Sequence, residues 1–142
     1  MRARESTKEM IESWLCAALP IVGLGHWKVT VSEEAAAEDA WADVEAHSVD
    51  PMATLRIGSG FDLQTPEKQR LILAHEMCHL FITPLDRYTG HLEEQHGRIW
   101  WAAWSPGYDD HTEQVTDAIA HAIAPRLPIY PLNSKTGTIE RR

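Results

Sequence analysis

Cysteine is scarce in this sequence: 142 residues carry two, Cys16 and Cys78, and neither belongs to a CxxC pair. A disulfide framework therefore does not hold the fold, and two reduced, buried thiols are expected in place of one bridge. At this length one domain can bury a core of ordinary size without such staples. Long apolar runs are also missing. None approaches the roughly 20 residues that span a bilayer, so no membrane partner is expected. Basic charge is the minority: 13 Lys and Arg stand against 21 Asp and Glu, a formal net charge of −8. Nucleic-acid binders gain affinity by neutralising phosphates, so nucleic acid is not an expected partner either.

Histidine, by contrast, is abundant, with eight residues in the chain. That excess is the first compositional hint of a metal. Near the N-terminus Arg2, Arg4 and Lys8 precede an apolar stretch from Trp14 to Leu24, as in a secretory leader. Glu5, Glu9 and Glu12 are interleaved with it, which a leader would avoid. Met10, Ile11, Trp14, Leu15, Ala18 and Leu19 instead recur at helical spacing. A cytoplasmic protein is the expectation.

The first helix is expected from about Ser6 to Leu19, stopping at Pro20. Strands are expected at Trp27–Val31, Trp41–Ser48 and Met52–Ile57, with the acidic Glu33–Asp39 stretch as a connection or a short helical turn. Thr65 then reads as an N-cap, Pro66 as the first helical residue and Glu67 as a complement to the helix dipole. That helix is expected to end at Pro84, a second to run from Gly90 to Trp104, and Ser105-Pro106-Gly107 to form a turn. A last helix, capped by Asp110, is expected from His111 to Ala124, with an extended or mobile tail over 125–142. The order gives an α+β fold: a small sheet of three or more strands, packed on helices within a single domain over 1–124.

Chemistry concentrates in His75-Glu76-Met77-Cys78-His79. Histidines four apart on a helix share a face one turn apart, the separation two ligands of one tetrahedral ion require. Glu76 lies about 100° further round, near enough to reach a water beside the ion. Roughly 0.04 such pentapeptides are expected by chance at this composition, so the match is informative, and its helical context adds to it. Zinc suits these donors, although His and carboxylate also accept other divalent ions.

A hydrolytic zinc takes three protein ligands. A third His six residues after the second would stand at position 85, which is Leu85. Glu113 is the best remaining candidate, with Asp117 one turn later on the same face. Asp110-His111-Thr112-Glu113 also reads as a capping box, a purely structural role for Glu113. His96 and His111 are further ligand candidates.

The HEMCH segment with a later Glu113-x-x-x-Asp117 resembles the gluzincin clan of zinc metallopeptidases. The short chain, with a small sheet before the motif helix, is similar to the minigluzincins and to the phage-immunity and radiation-response (ImmA/IrrE-type) peptidases. The resemblance covers roughly Met52 to Ala124. It implies a zincin-like domain in which His75, His79 and Glu113 bind one zinc ion, Glu76 is the general base and Asp117 supports His75. Cys78 departs from the pattern, since a small residue is common beside the second ligand. It also implies a protein or peptide substrate, paired in extended form with a sheet edge, for which Met52–Ile57 is the candidate; the alternative is a strand covered by another element.

Tyr108, His111 and His121 are candidate oxyanion stabilisers. Trp100, Trp101 and Trp104 could floor a pocket or belong to the core. Two other functions compete with the peptidase: a metal-binding regulatory or interaction protein that cleaves little, and a structural zinc site closed by Cys78 or His111.

Overall fold

The apolar stripe Ile11, Trp14, Leu15, Ala18 and Leu19 becomes the buried face of the first helix. The computed structural model describes residues 2–47 and 50–132, and in it this helix, α1, spans Arg2–Ile21. Pro20 sits in its last turn instead of stopping it, and Leu24 N–H closes the end on Leu19 O at 2.9 Å.

Three strands follow: β1 (Lys28–Ala35), β2 (Ala42–Ala46) and β3 (Met52–Ile57). Only β3 has the expected bounds. β1 absorbs the start of the acidic stretch through an irregularity in pairing between Val31 and Ala35. β2 is shorter than expected, because Trp41 leaves the strand and lies under Lys68 Nζ, 4.4 Å from the ring. Position 48, the expected end of this strand, is outside the described residues. The strand order is β1-β3-β2, with β3 parallel to β1 and antiparallel to β2. Met52–Ile57 is therefore the central strand, paired on both sides, and the expectation that it forms the edge beside a cleft is overturned.

Side-chain alternation gives the sheet two unlike faces. Val31, Ala42, Ala53 and Leu55 are buried against the helices. Asp43 and Glu45, opposite Arg56 and Thr54, lie on the other face, where Arg56 Nε meets Asp43 Oδ1 at 2.7 Å.

The end of β3 is pinned by Gly58, whose N–H donates to Trp41 O at 2.7 Å. A Cβ there would stand 2.0 Å from Ala40 O, a backbone atom that cannot rotate away. Gly58→Ala is expected to lower stability by about 1–3 kcal/mol, as other enforced overpacking does, seen as a fall in the denaturation midpoint. An unchanged midpoint would contradict this close approach.

Thr65 caps the next helix as expected, its Oγ1 accepting from Lys68 N–H, with Pro66 at the first position. This helix, α2, then runs for 31 residues, Pro66–His96, straight through Pro84. After Gly97 the chain reverses into α3 (Arg98–Ile123), which contains Pro106 and Gly107. Two long helices thus replace the three expected, and neither the Pro84 stop, the Ser105–Gly107 turn nor the Asp110 cap exists. Gly97 has φ +87, a conformation that a side chain disfavours, and it serves both helix ends.

An internal proline removes one helical hydrogen bond and costs about 3 kcal/mol. The two helices offset this by packing antiparallel along their lengths, pairing Asp86 with Tyr108, His79 with Glu113 and His75 with Asp117. Beyond α3 a 3₁₀ turn (Ala124–Arg126) leads to Leu127 and Tyr130, both buried. Trp14 Nε1 donates to Pro128 O at 2.8 Å. The expected loose tail is therefore anchored to the core as far as Tyr130; positions 133–142 lie outside the described residues. The architecture is α+β, with α1 and the α2–α3 hairpin on one face of a three-stranded mixed sheet. No helix among the described residues is long and apolar enough to cross a membrane.

Candidate metal centre

Four-residue spacing on α2 brings the His75 and His79 rings to 5.0 Å between centroids. With Glu76 they form a group whose potential ligand atoms all lie within 4.8 Å of one another. The antiparallel course of α3 adds what local spacing cannot. Glu113, 38 residues from His75 in sequence, places Oε2 3.0 Å from His75 Nε2 and Oε1 3.0 Å from His79 Nε2. Glu113 lies well inside α3, so the capping box does not explain it.

Asp117, one turn on, holds Oδ1 3.4 Å from His75 Nδ1. Both nitrogens of His75 thus face carboxylates, one on each side of the ring. These residues fit a metal ion: tetrahedral bonds of about 2.0–2.1 Å separate their donors by about 3.3 Å, close to the two 3.0 Å separations seen here.

Electrostatics distinguish the two glutamates. The Glu76 carboxyl is pushed up to about 8, chiefly by burial and then by repulsion from Glu113 and Asp43, with a backbone hydrogen bond from Val44 acting the other way. Without a cation nearby Glu76 is thus largely protonated at pH 7. Burial also lowers the pKa of His79, opposed by the Glu113 charge and reinforced by His75. A lowered His79 pKa favours the neutral imidazole, the form that ligates metals.

Beside the group lies an open cleft of about 500 Å³. One wall is β2, residues 42–46; the other is α2 and α3, through Glu76, His79, Leu80, Thr83, Asp86 and Glu113. The strand edge at the cleft is therefore β2, which among the described residues pairs on one side only, with β3.

The remaining candidates are elsewhere. The Tyr108 hydroxyl donates to Asp86 Oδ1 at 2.8 Å. His111 Nδ1 lies 2.7 Å from Gly107 O, and His121 Nδ1 contacts the Asp117 backbone oxygen at 2.9 Å and its carboxylate at 3.5 Å. None of these three lines the cleft. His96 stacks on Trp100, which with Trp104 and Tyr108 continues a row of rings along α3, so the tryptophans neither floor the cleft nor fill the buried core. Cys78 is fully buried, with its thiol pushed up to about 11 by burial, which leaves it core packing in place of a thiolate ligand.

Nothing local in the sequence marks Asp86, or places the Trp41–Ser48 strand beside the site. Asp86 follows His79 by seven residues, a same-face spacing, but expecting the helix to end at Pro84 hides it. Comparison of the chain with protein-family models, with curated proteins and with solved structures gives no match.

Proposed function

We propose that this chain is a zinc-dependent metallopeptidase of gluzincin type. The observation that carries the proposal is the Glu113 carboxylate, set 3.0 Å from both His75 Nε2 and His79 Nε2. His75, His79 and Glu113 would hold one ion, zinc by the character of the donors. When bound, such an ion supplies a water of lowered pKa and polarises a carbonyl oxygen.

The chain's own residues do the rest. Glu76, one position from a ligand and facing the cleft, takes the proton of the attacking water and passes it to the leaving amine nitrogen. Asp117, with Oδ1 3.4 Å from His75 Nδ1, favours the Nδ1–H tautomer of His75, which leaves Nε2 free to ligate. The free edge of β2 offers main-chain hydrogen bonds to an extended peptide, recognising backbone more than sequence.

Zinc titrated into the chelator-treated full chain is expected to bind at one equivalent. Glu113→Ala should weaken that binding by more than about 100-fold, and Asp117→Asn by about 10–100-fold, the range for partners that orient ligands. Undiminished affinity in Glu113→Ala would remove the three-ligand site. Tight zinc binding with no cleavage of any peptide would leave the metal-binding regulatory protein as the better description.

A further inference from the structure

Main-chain groups alternate along β2 as its side chains do. Trp41 O accepts the Gly58 N–H at 2.7 Å, and the His47 N–H donates to Met52 O at 2.8 Å. In an antiparallel ladder, residues bonded to the partner strand alternate with residues that turn both main-chain groups away from it. Asp43 and Glu45, opposite Arg56 and Thr54, continue the bonded set. Ala42, Val44 and Ala46 therefore turn their N–H and C=O outward, and all three line the cleft beside α2.

Val44 differs from its two neighbours on this edge, because its N–H donates to the Glu76 carboxyl. The same carboxyl belongs to the group whose ligand atoms lie within 4.8 Å of one another, so it stands between the sheet edge and the metal group. Beneath it Leu15, Leu73, Met77 and Leu80 form an apolar floor with no side-chain donor. On that side the Val44 N–H is what fixes the direction of the carboxyl.

We infer that the main-chain N–H of Val44 positions Glu76 and is thereby withheld from the peptide, which pairs with β2 through Ala42 and Ala46. The catalytic part of this inference rests on the peptidase reading, which it deepens. Side chains and main-chain groups of a strand repeat every two residues, so an extended peptide can bond at positions 42 and 46 and leave 44 to Glu76. Its scissile bond then falls opposite Val44, beside the base. One strand thus registers both the peptide and the group that activates water. A donor fixed in a strand holds a base in line better than a rotatable side chain does.

Amide hydrogen exchange on the chelator-treated full chain reads the contact without turnover. Exchange at Val44 is expected to quicken about tenfold in Glu76→Ala, as one hydrogen bond is lost, with Ala46 unchanged. Glu76→Gln should keep the protection, since its amide oxygen still accepts. Exchange at Val44 that ignores Glu76→Ala, or that changes equally at Ala46, overturns the inference. Kinetics of the zinc-loaded chain test the positioning. Val44→Pro removes the outward N–H and no ladder bond. It is expected to lower kcat at least about tenfold with KM within about twofold and one zinc equivalent retained. Ala46→Pro, which removes an N–H left to the peptide, should raise KM instead. Where Val44→Pro fails to fold, exchanging the Val44 amide for an ester removes the same N–H and keeps the side chain. A rise in KM at unchanged kcat on loss of the Val44 N–H would assign that donor to the peptide and sink the inference. If the wild-type chain cleaves no peptide, the peptidase reading falls, and exchange alone decides whether Val44 holds Glu76.

Discussion

Glu76→Gln is expected to lower peptide hydrolysis by about 10²–10⁴-fold, the usual worth of a positioned general base, while leaving one zinc equivalent and the fold intact. The amide has nearly the shape of the carboxylate, and its oxygen can still accept the Val44 N–H that Glu76 engages. It cannot take a proton from water. The same variant separates the two glutamates, because His75, Glu76 and His79 by themselves form a compact group of donors. If Glu76 were the third ligand in place of Glu113, Gln would weaken zinc along with turnover. Parallel zinc titration and quantified cleavage products decide the matter. Full turnover by the metal-loaded variant refutes the mechanism.

The second large effect concerns stability. The metal-stripped chain should become less stable as pH rises from about 6.5 to 8. Glu76 has a folded-state pKa of about 8 against an ordinary value of 4.5, chiefly because it is buried. Across that interval the folded state holds a proton that the unfolded state has released, so stability falls as pH increases. Below about 6.5 the depressed pKa of His79 acts in the opposite sense: the unfolded chain binds the extra proton there, and stability rises with pH. Above 6.5 the His79 contribution fades and the Glu76 contribution dominates. It amounts to about 2 kcal/mol, or roughly 5–10 °C in Tm for a chain of this size.

Glu76→Gln should flatten that slope, since its amide does not titrate. Zinc should flatten it too, because a divalent charge beside Glu76 stabilises the carboxylate. Calorimetric scans of the stripped chain, the zinc-loaded chain and the variant measure all three. A slope that survives Glu76→Gln would assign the titration to another group.

Local rules made much of the molecule legible in advance. β3 begins and ends where β-branched and apolar alternation places it, and the Thr65-Pro66 start of α2 follows from one hydroxyl and one missing N–H. The buried face of α1 is its 3.6-residue stripe. Local rules failed where they read punctuation. Pro84, Pro106 and Gly107 each disfavour a helix, yet the helices continue through all three. The candidate edge strand, Met52–Ile57, is the central one, since strand order depends on pairing across the sheet and not on any one strand's composition.

Sequence alone determined the paired imidazoles and the adjacent acid of HEMCH, because spacing on a helix is set by backbone geometry within one turn. Only tertiary structure decided that Glu113 meets them and that Asp117 stands behind His75. Those juxtapositions come from reversing the chain at Gly97 and packing two helices antiparallel. The energy that carries α2 through Pro84 lies in contacts between residues distant in sequence, and no local pattern encodes it.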